Sequence, residues 1–182
     1  MPKPPTRKAA GLKKSGSAKK TTAAQHKASH APNGEIDYGP LAQRIGYHLR
    51  RAQVAVFADF YACFDPVTIR PVQYSILTII EHNPGLLQTQ VATALGIKKA
   101  NFVGLISDLE QRGLVTRIQQ ETDRRSYGLY LSAQGQDFMP QLHDLALHHE
   151  QRVVRGLSKS TCQDLFASLQ VIARRHPASA SS

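Results

Sequence analysis

One change of hydrophobic period, at Gly113, constrains this fold more than any other feature of the sequence. Ahead of it lie two short helical segments. The first runs from about Gln88 to Leu95 and is closed by Gly96, which suits the left-handed position beyond a helix end. The second runs from about Ala100 to Arg112, with Phe102, Leu105, Ile106 and Leu109 at helical spacing. Two short helices joined by a tight, glycine-containing turn form the helix-turn-helix pattern. Beyond Gly113, Val115, Arg117 and Gln119 alternate with Thr116 and Ile118. Tyr127, Leu129 and Leu131 then alternate with Gly128 and Tyr130, so two strands are expected. Their connection, residues 121–126, is polar and carries adjacent arginines at its tip. Such a hairpin is a wing.

The flanks read as longer helices. Leu41, Ile45, Leu49, Ala52, Val56 and Phe60 form one stripe, ended at Asp65-Pro66 because the proline ring disfavours helix in the residue before it. A second helix should open at Pro71, pass through Tyr74, Leu77, Ile79 and Ile80, and stop at Asn83-Pro84-Gly85. After Ser132 a stripe of Phe138, Leu142, Leu145, His149, Val153 and Leu157 follows. Ser160 and Gln163 fit a capping box for a last helix with Leu165, Phe166, Leu169 and Ile172. The expected fold is mainly α with a small two-stranded wing: a winged helix-turn-helix with a helical dimerisation region formed by the N- and C-terminal helices.

Charge divides the chain unevenly. Of its net +10, residues 1–34 supply eight basic side chains and no acid, leaving a balance of only +2 for the rest. This arm is rich in Lys, Ala, Ser, Thr and Pro, with Leu12 its one large apolar residue, so it is expected to be disordered. A basic arm raises affinity for polyanions through counterion release without reading sequence. A solubilising extension or a misassigned start is the plainer reading. The globular part should span 35–176, with a DNA-binding portion at about 70–132 and dimerisation helices at about 40–63 and 133–175. A disordered tail, 177–182, would follow.

No apolar run approaches a membrane span, and no secretory signal opens the chain, so an intracellular protein is expected. Cys63 and Cys162 are too few and too isolated for a disulfide framework or a zinc cluster. His148 and His149 are adjacent and so point to different faces of a helix. Neither cysteine has a histidine partner that sequence identifies, and no glycine loop could cradle a phosphate. The sequence therefore suggests no catalytic residue, metal site or cofactor, and a chain that is not an enzyme.

The order of elements, over roughly residues 38–175, resembles the MarR family of bacterial transcription regulators. Gly113-Leu114-Val115, Asp123-Arg124-Arg125-Ser126 and Leu131-Ser132-Ala133-Gln134-Gly135 are similar to that family's wing signature, with Ser132 where Thr is usual. The resemblance implies a cytoplasmic, nucleoid-associated bacterial homodimer that binds double-stranded DNA. Pairing would cover the apolar stripes and set two recognition helices about 34 Å apart, matching a palindromic operator. An enlarged monomeric core is the alternative.

The same physical reading selects the DNA contacts. A recognition helix presents its first turns to the major groove, which here means Lys98, Lys99, Asn101 and Phe102. The lysines suit phosphate or guanine, and Asn101 can pair with adenine through two bonds. Gly104 would allow close approach to DNA or mark a crowded helix contact. Gln88 and Thr89 can reach phosphates, although Leu87 occupies the position where the family often caps that helix with Ser or Thr. Arg124 and Arg125 suit the narrow minor groove; the resemblance implies that Asp123 and Arg125 organise and deliver the wing, with Asp123 orienting an arginine, and Arg117 and Ser126 flank them.

The resemblance also implies a small-molecule effector, an aromatic carboxylate or its CoA thioester. Arg44, Tyr47, His48, Arg51, Tyr61, Arg70 and Tyr74 combine rings with cations that meet carboxylate or phosphate. Half-buried surface residues on amphipathic helices are the competing reading. A sequence-tolerant nucleoid protein, dominated by the basic arm, is the alternative function.

Overall fold

The computed structural model describes residues 36–120 and 126–175. The basic arm, Asp123, Arg124 and Arg125 at the wing tip, and the tail 177–182 lie outside the described residues. The chain divides after Leu41 into two units, and the elements that carry the site belong to the second.

A single 3-10 turn, Gly39–Gln43, comes before the first helix, α1, Ile45–Phe64. Leu41 therefore does not extend the α1 stripe as the spacing suggested. A second 3-10 turn, Asp65–Val67, carries Pro66 and closes with Thr68 in the left-handed region, φ 54°. Helix α2, Pro71–His82, begins on proline, whose fixed φ suits a first helical position. The Gln73 side chain accepts from the Arg70 backbone N–H at 2.9 Å and satisfies one of the donors that a helix start leaves open.

Strand β1, Leu86–Leu87, leads directly into α3, Gln88–Ala94, and then α4, Lys99–Gln111. Leu87 offers no polar side chain as a cap. Gln90 reaches back instead and accepts from the Leu87 N–H at 2.8 Å. Strands β2, Val115–Gln119, and β3, Tyr127–Leu131, form the wing hairpin, with Val115 opposite Leu131 and Gln119 opposite Tyr127. The sheet has three strands in the order β1-β3-β2, rather than the two expected. Two residues carry too little alternation to announce β1; its pairing with Gly128 and Leu129 creates it.

Helix α5, Ala133–Val153, runs through Pro140 and packs against α1. It ends before Leu157, so that residue lies outside the stripe assigned to it. Helix α6, Lys159–Arg175, is capped by Ser158, whose Oγ accepts from the Thr161 N–H at 3.1 Å. Ser160 sits inside the first turn and is not the cap that the Ser160–Gln163 spacing suggested. Among the described residues, no helix is long and apolar enough to cross a membrane.

One core ties these elements together. Phe64 from α1, Ile76 and Ile80 from α2, Val91 from α3, and Phe102 and Ile106 from α4 meet Leu129 and Leu142, all essentially inaccessible. The wing joins α5 through a tight seam. Ser132 caps α5 by accepting from the Gly135 N–H at 2.9 Å, and its hydroxyl donates to the Gly113 carbonyl. A Cβ on Gly135 would fall 2.1 Å from the Leu114 carbonyl oxygen, so only glycine allows this approach. Gly113 itself turns at φ 70°. The glycines and hydroxyl of the wing signature are thus one contact, formed by residues about twenty apart.

Candidate nucleic-acid interface and effector cavity

Helix α4 separates its residues by face. Phe102, Ile106 and Leu109 point into the core, while Lys98, Lys99, Asn101, Val103 and Gly104 are exposed. Phe102, at 1% exposure, cannot meet a base edge, and its assignment to the DNA surface is corrected. The i, i+4 spacing to Ile106 placed it on the inner face, a signal already legible in the helix stripe. A Cβ at Gly104 would meet nothing within 4 Å, which removes the crowded-contact reading. The resulting outer strip is low and polar, with two lysines at a helix N-terminus whose first turn holds no acid. Lysine charge and the helix macrodipole both favour an anion there.

Thr89 is exposed at the start of α3 and Gln88 is half-buried beside it. Arg117 is committed elsewhere: its guanidinium pairs with Glu110 of α4 at 2.7 Å, and its Nε is buried without a partner in the structure. It braces strand β2 on the recognition helix. Ser126 closes the base of the tip by accepting from the Gln120 N–H at 2.9 Å, and the Gln120 amide reaches the Gly85 carbonyl at 3.0 Å.

The seven candidate effector residues do not form one group. Tyr61 and Arg70 share a cavity of about 570 Å³ with Phe64, Gln73, Asp108 and Arg112. Arg112 was missed because its spacing marked only a helix end. Its guanidinium donates to the carbonyls of Thr68 and Val67 at 2.9 and 3.0 Å, fixing the end of α4 to the loop before α2. Tyr74 lines a different cleft, of about 450 Å³, with its hydroxyl 3.2 Å from His143 Nδ1. The other nitrogen of that imidazole, Nε2, lies 2.8 Å from the Glu81 carboxylate. Arg44, which directly precedes α1, and Tyr47, His48 and Arg51 of its first turns line neither space; His48 Nε2 lies 2.8 Å from the Ala42 carbonyl.

A third polar cluster lies between α1 and α5. Asp59 meets His149 Nδ1 at 2.8 Å and Arg152 at 2.7 Å, and the Cys63 thiol lies 3.7 Å from the same carboxylate. The hydrogen bond from His149, assisted by Arg152, holds the Asp59 carboxyl below its ordinary range. Burial and the neighbouring Asp59 charge push the Cys63 thiol up. His149, 86 positions further along, thus shares the Asp59 carboxylate with Cys63, a meeting that the sequence did not identify.

Fold and site together define a winged helix-turn-helix protein, with a recognition helix whose outer strip is basic and a hairpin beside it. The MarR family model matches residues 67–126, and the chain belongs to the MarR family of transcription regulators. Its relatives include a putative transcriptional regulatory protein for the hcr operon of Thauera aromatica, 29% identical over 150 residues, which cover 82% of this chain and 90% of that one. The transcriptional repressor CouR bound to a 23-mer DNA duplex superposes with a TM-score of 0.73 at 40% identity, over 76% of this chain and 99% of CouR. CouR bound to p-coumaroyl-CoA gives 0.70 at 38% identity, over 77% and 99%.

Proposed function

We propose that this chain is a cytoplasmic, homodimeric repressor that reads a palindromic operator and is released by an aromatic acid or its CoA thioester. The observation that carries the DNA reading is the outer side of α4, where Lys98, Lys99, Asn101 and Gly104 are all exposed around a buried inner face. Gln88 and Thr89 supply phosphate contacts. Arg124 and Arg125, positioned by Asp123 and Ser126, reach the minor groove, while Arg117 holds the hairpin to α4. The arm, residues 1–34, adds affinity without sequence preference. Its closeness to CouR, seen both with a DNA duplex and with p-coumaroyl-CoA, supports both halves of this reading.

Dimerisation rests on apolar surface that a single chain leaves bare. Ile45, Leu49, Val54 and Phe57 on α1 and Leu165, Phe166, Leu169 and Ile172 on α6 are all exposed, more than isolated surface residues would account for. A two-fold pairing covers such faces with one self-complementary patch.

The effector cavity is the one beneath Tyr61 and Arg70. Its volume of about 570 Å³ lies within the range of small-molecule sites. The exposed Tyr61 offers a ring surface, and Arg70 and Arg112 offer positive charge for a carboxylate or thioester oxygen. Asp108 belongs to α4 and Arg112 directly follows its last residue, so a ligand there touches the recognition helix and its C-terminal end. Release requires that the effector bind the two conformations with different affinity.

Competition gel shifts with and without residues 1–33 test the proposal. The core should prefer one palindrome over random duplex by roughly 10³-fold or more, and Arg125→Ala should weaken that binding. A core with no preference among duplexes would leave the sequence-tolerant nucleoid reading in its place. Arg70→Ala should abolish release by aromatic acyl thioesters while sparing operator affinity.

A further inference from the structure

We propose that Asp59, Cys63 and His149 form a divalent transition-metal site, fitted to zinc, in the seam between α1 and α5. Their donor atoms, Asp59 Oδ2, Cys63 Sγ and His149 Nδ1, all lie within 4.8 Å of one another. Two edges of that triangle measure 2.8 Å for His149–Asp59 and 3.7 Å for Cys63–Asp59. Tetrahedral zinc, with bonds of about 2.0–2.3 Å, separates its donors by about 3.3–3.7 Å. Shifts of the order of an ångström therefore convert the present hydrogen-bonded cluster into three coordinating groups.

The placement is built rather than incidental. Asp59 and Cys63 stand four apart on α1 and so share one face of that helix. His149 arrives from the far end of α5, buried, with its ring edge-on to Phe60 at a centroid distance of 5.3 Å. Arg152 holds the second carboxylate oxygen of Asp59 at 2.7 Å, an outer contact that orients a coordinating carboxylate. Thiolate, imidazole and carboxylate together select zinc or a neighbouring transition ion over magnesium or calcium. Coordination forms the metal–sulfur bond and releases the thiol proton of Cys63 to solvent. The two resulting anions balance the dication, and three protein donors leave a fourth position for water. An ion can reach the seam from either side. Cys63 lines one depression with His148, and His149 lines another with Phe60 and His143.

The test uses the untagged full chain, stripped with a chelator and titrated with cobalt(II), then with zinc. We expect one cobalt per chain, visible bands of tetrahedral intensity, and a near-ultraviolet thiolate-to-cobalt band, all displaced by zinc. Cys162→Ser should leave the spectrum unchanged. Cys63→Ser should remove the thiolate band, and His149→Gln should weaken cobalt binding at least about ten-fold. The wild-type and Cys162→Ser spectra decide the matter even where another variant folds poorly. Binding without a thiolate band, a band that disappears with Cys162, or no uptake at micromolar cobalt would each overturn the site.

Discussion

Gln73 on α2 and Asp108 on α4, 35 positions apart in the chain, are joined by a hydrogen bond from the glutamine amide to the carboxylate. Gln73 is 1% exposed, and its other amide atom accepts from the Arg70 N–H. One buried side chain thus starts α2, grips the recognition helix and lines the cavity that holds Tyr61 and Arg70. Asp108→Ala leaves the Gln73 amide buried with no acceptor and should cost about 1–3 kcal/mol of unfolding free energy. Asp108→Asn keeps an acceptor and should cost less. Urea unfolding of the two variants measures the difference; equal losses would show that the hydrogen bond is not what joins the helices.

Adjacent positions on α4 should behave oppositely. Phe102→Ala empties a fully buried site and should destabilise by about 3–5 kcal/mol. Asn101→Ala touches only exposed surface and should change stability by less than about 0.5 kcal/mol. Its effect should appear instead in operator binding, as a loss of about 1–3 kcal/mol against the preferred base. Thermal melts paired with gel shifts on the same preparations separate the two behaviours.

The wing–α5 seam predicts a graded series. Ser132→Thr preserves the hydroxyl that caps α5 and should be close to neutral. Ser132→Ala should cost about 0.5–2 kcal/mol, because the Gly135 N–H loses its acceptor. Gly135→Ala should be the most damaging of the three, since its methyl group would fall on the Leu114 carbonyl. Differential scanning calorimetry would rank them, and a Gly135→Ala protein as stable as wild type would contradict the close approach.

Association should depend on the exposed face of α6. Phe166→Glu places a charge where the proposed dimer buries an aromatic ring, while costing the isolated chain little because that ring is already half exposed. Sedimentation should then show monomer at concentrations where wild type is dimeric. Operator affinity should fall in parallel, because two recognition helices would no longer be held one DNA turn apart.

The legible parts of this protein are those whose signal is local. Pro71 opened α2 and Gly96 and Gly113 closed α3 and α4 close to where their residue types placed them. The change from helical to alternating period found β2 and β3. The faces of α4 are legible as well, since the i, i+4 relation of Phe102 to Ile106 marks the inner side of that helix. The Ser160–Gln163 spacing does not locate the cap of α6, because the residue whose hydroxyl accepts from the first turn is Ser158, directly before Lys159.

Sequence alone settled the order of helices, turn and wing, because periodicity and turn chemistry act over a few neighbouring residues. Tertiary structure alone decided which distant groups meet: Arg117 with Glu110, Gln73 with Asp108, and Cys63 with His149 beside Asp59. It also separated Tyr61 and Arg70 from Tyr74, placing them in different cavities. The physical reason is that each such meeting depends on how whole helices rotate and pack about the common core. No pattern within one helix encodes what its neighbour will present.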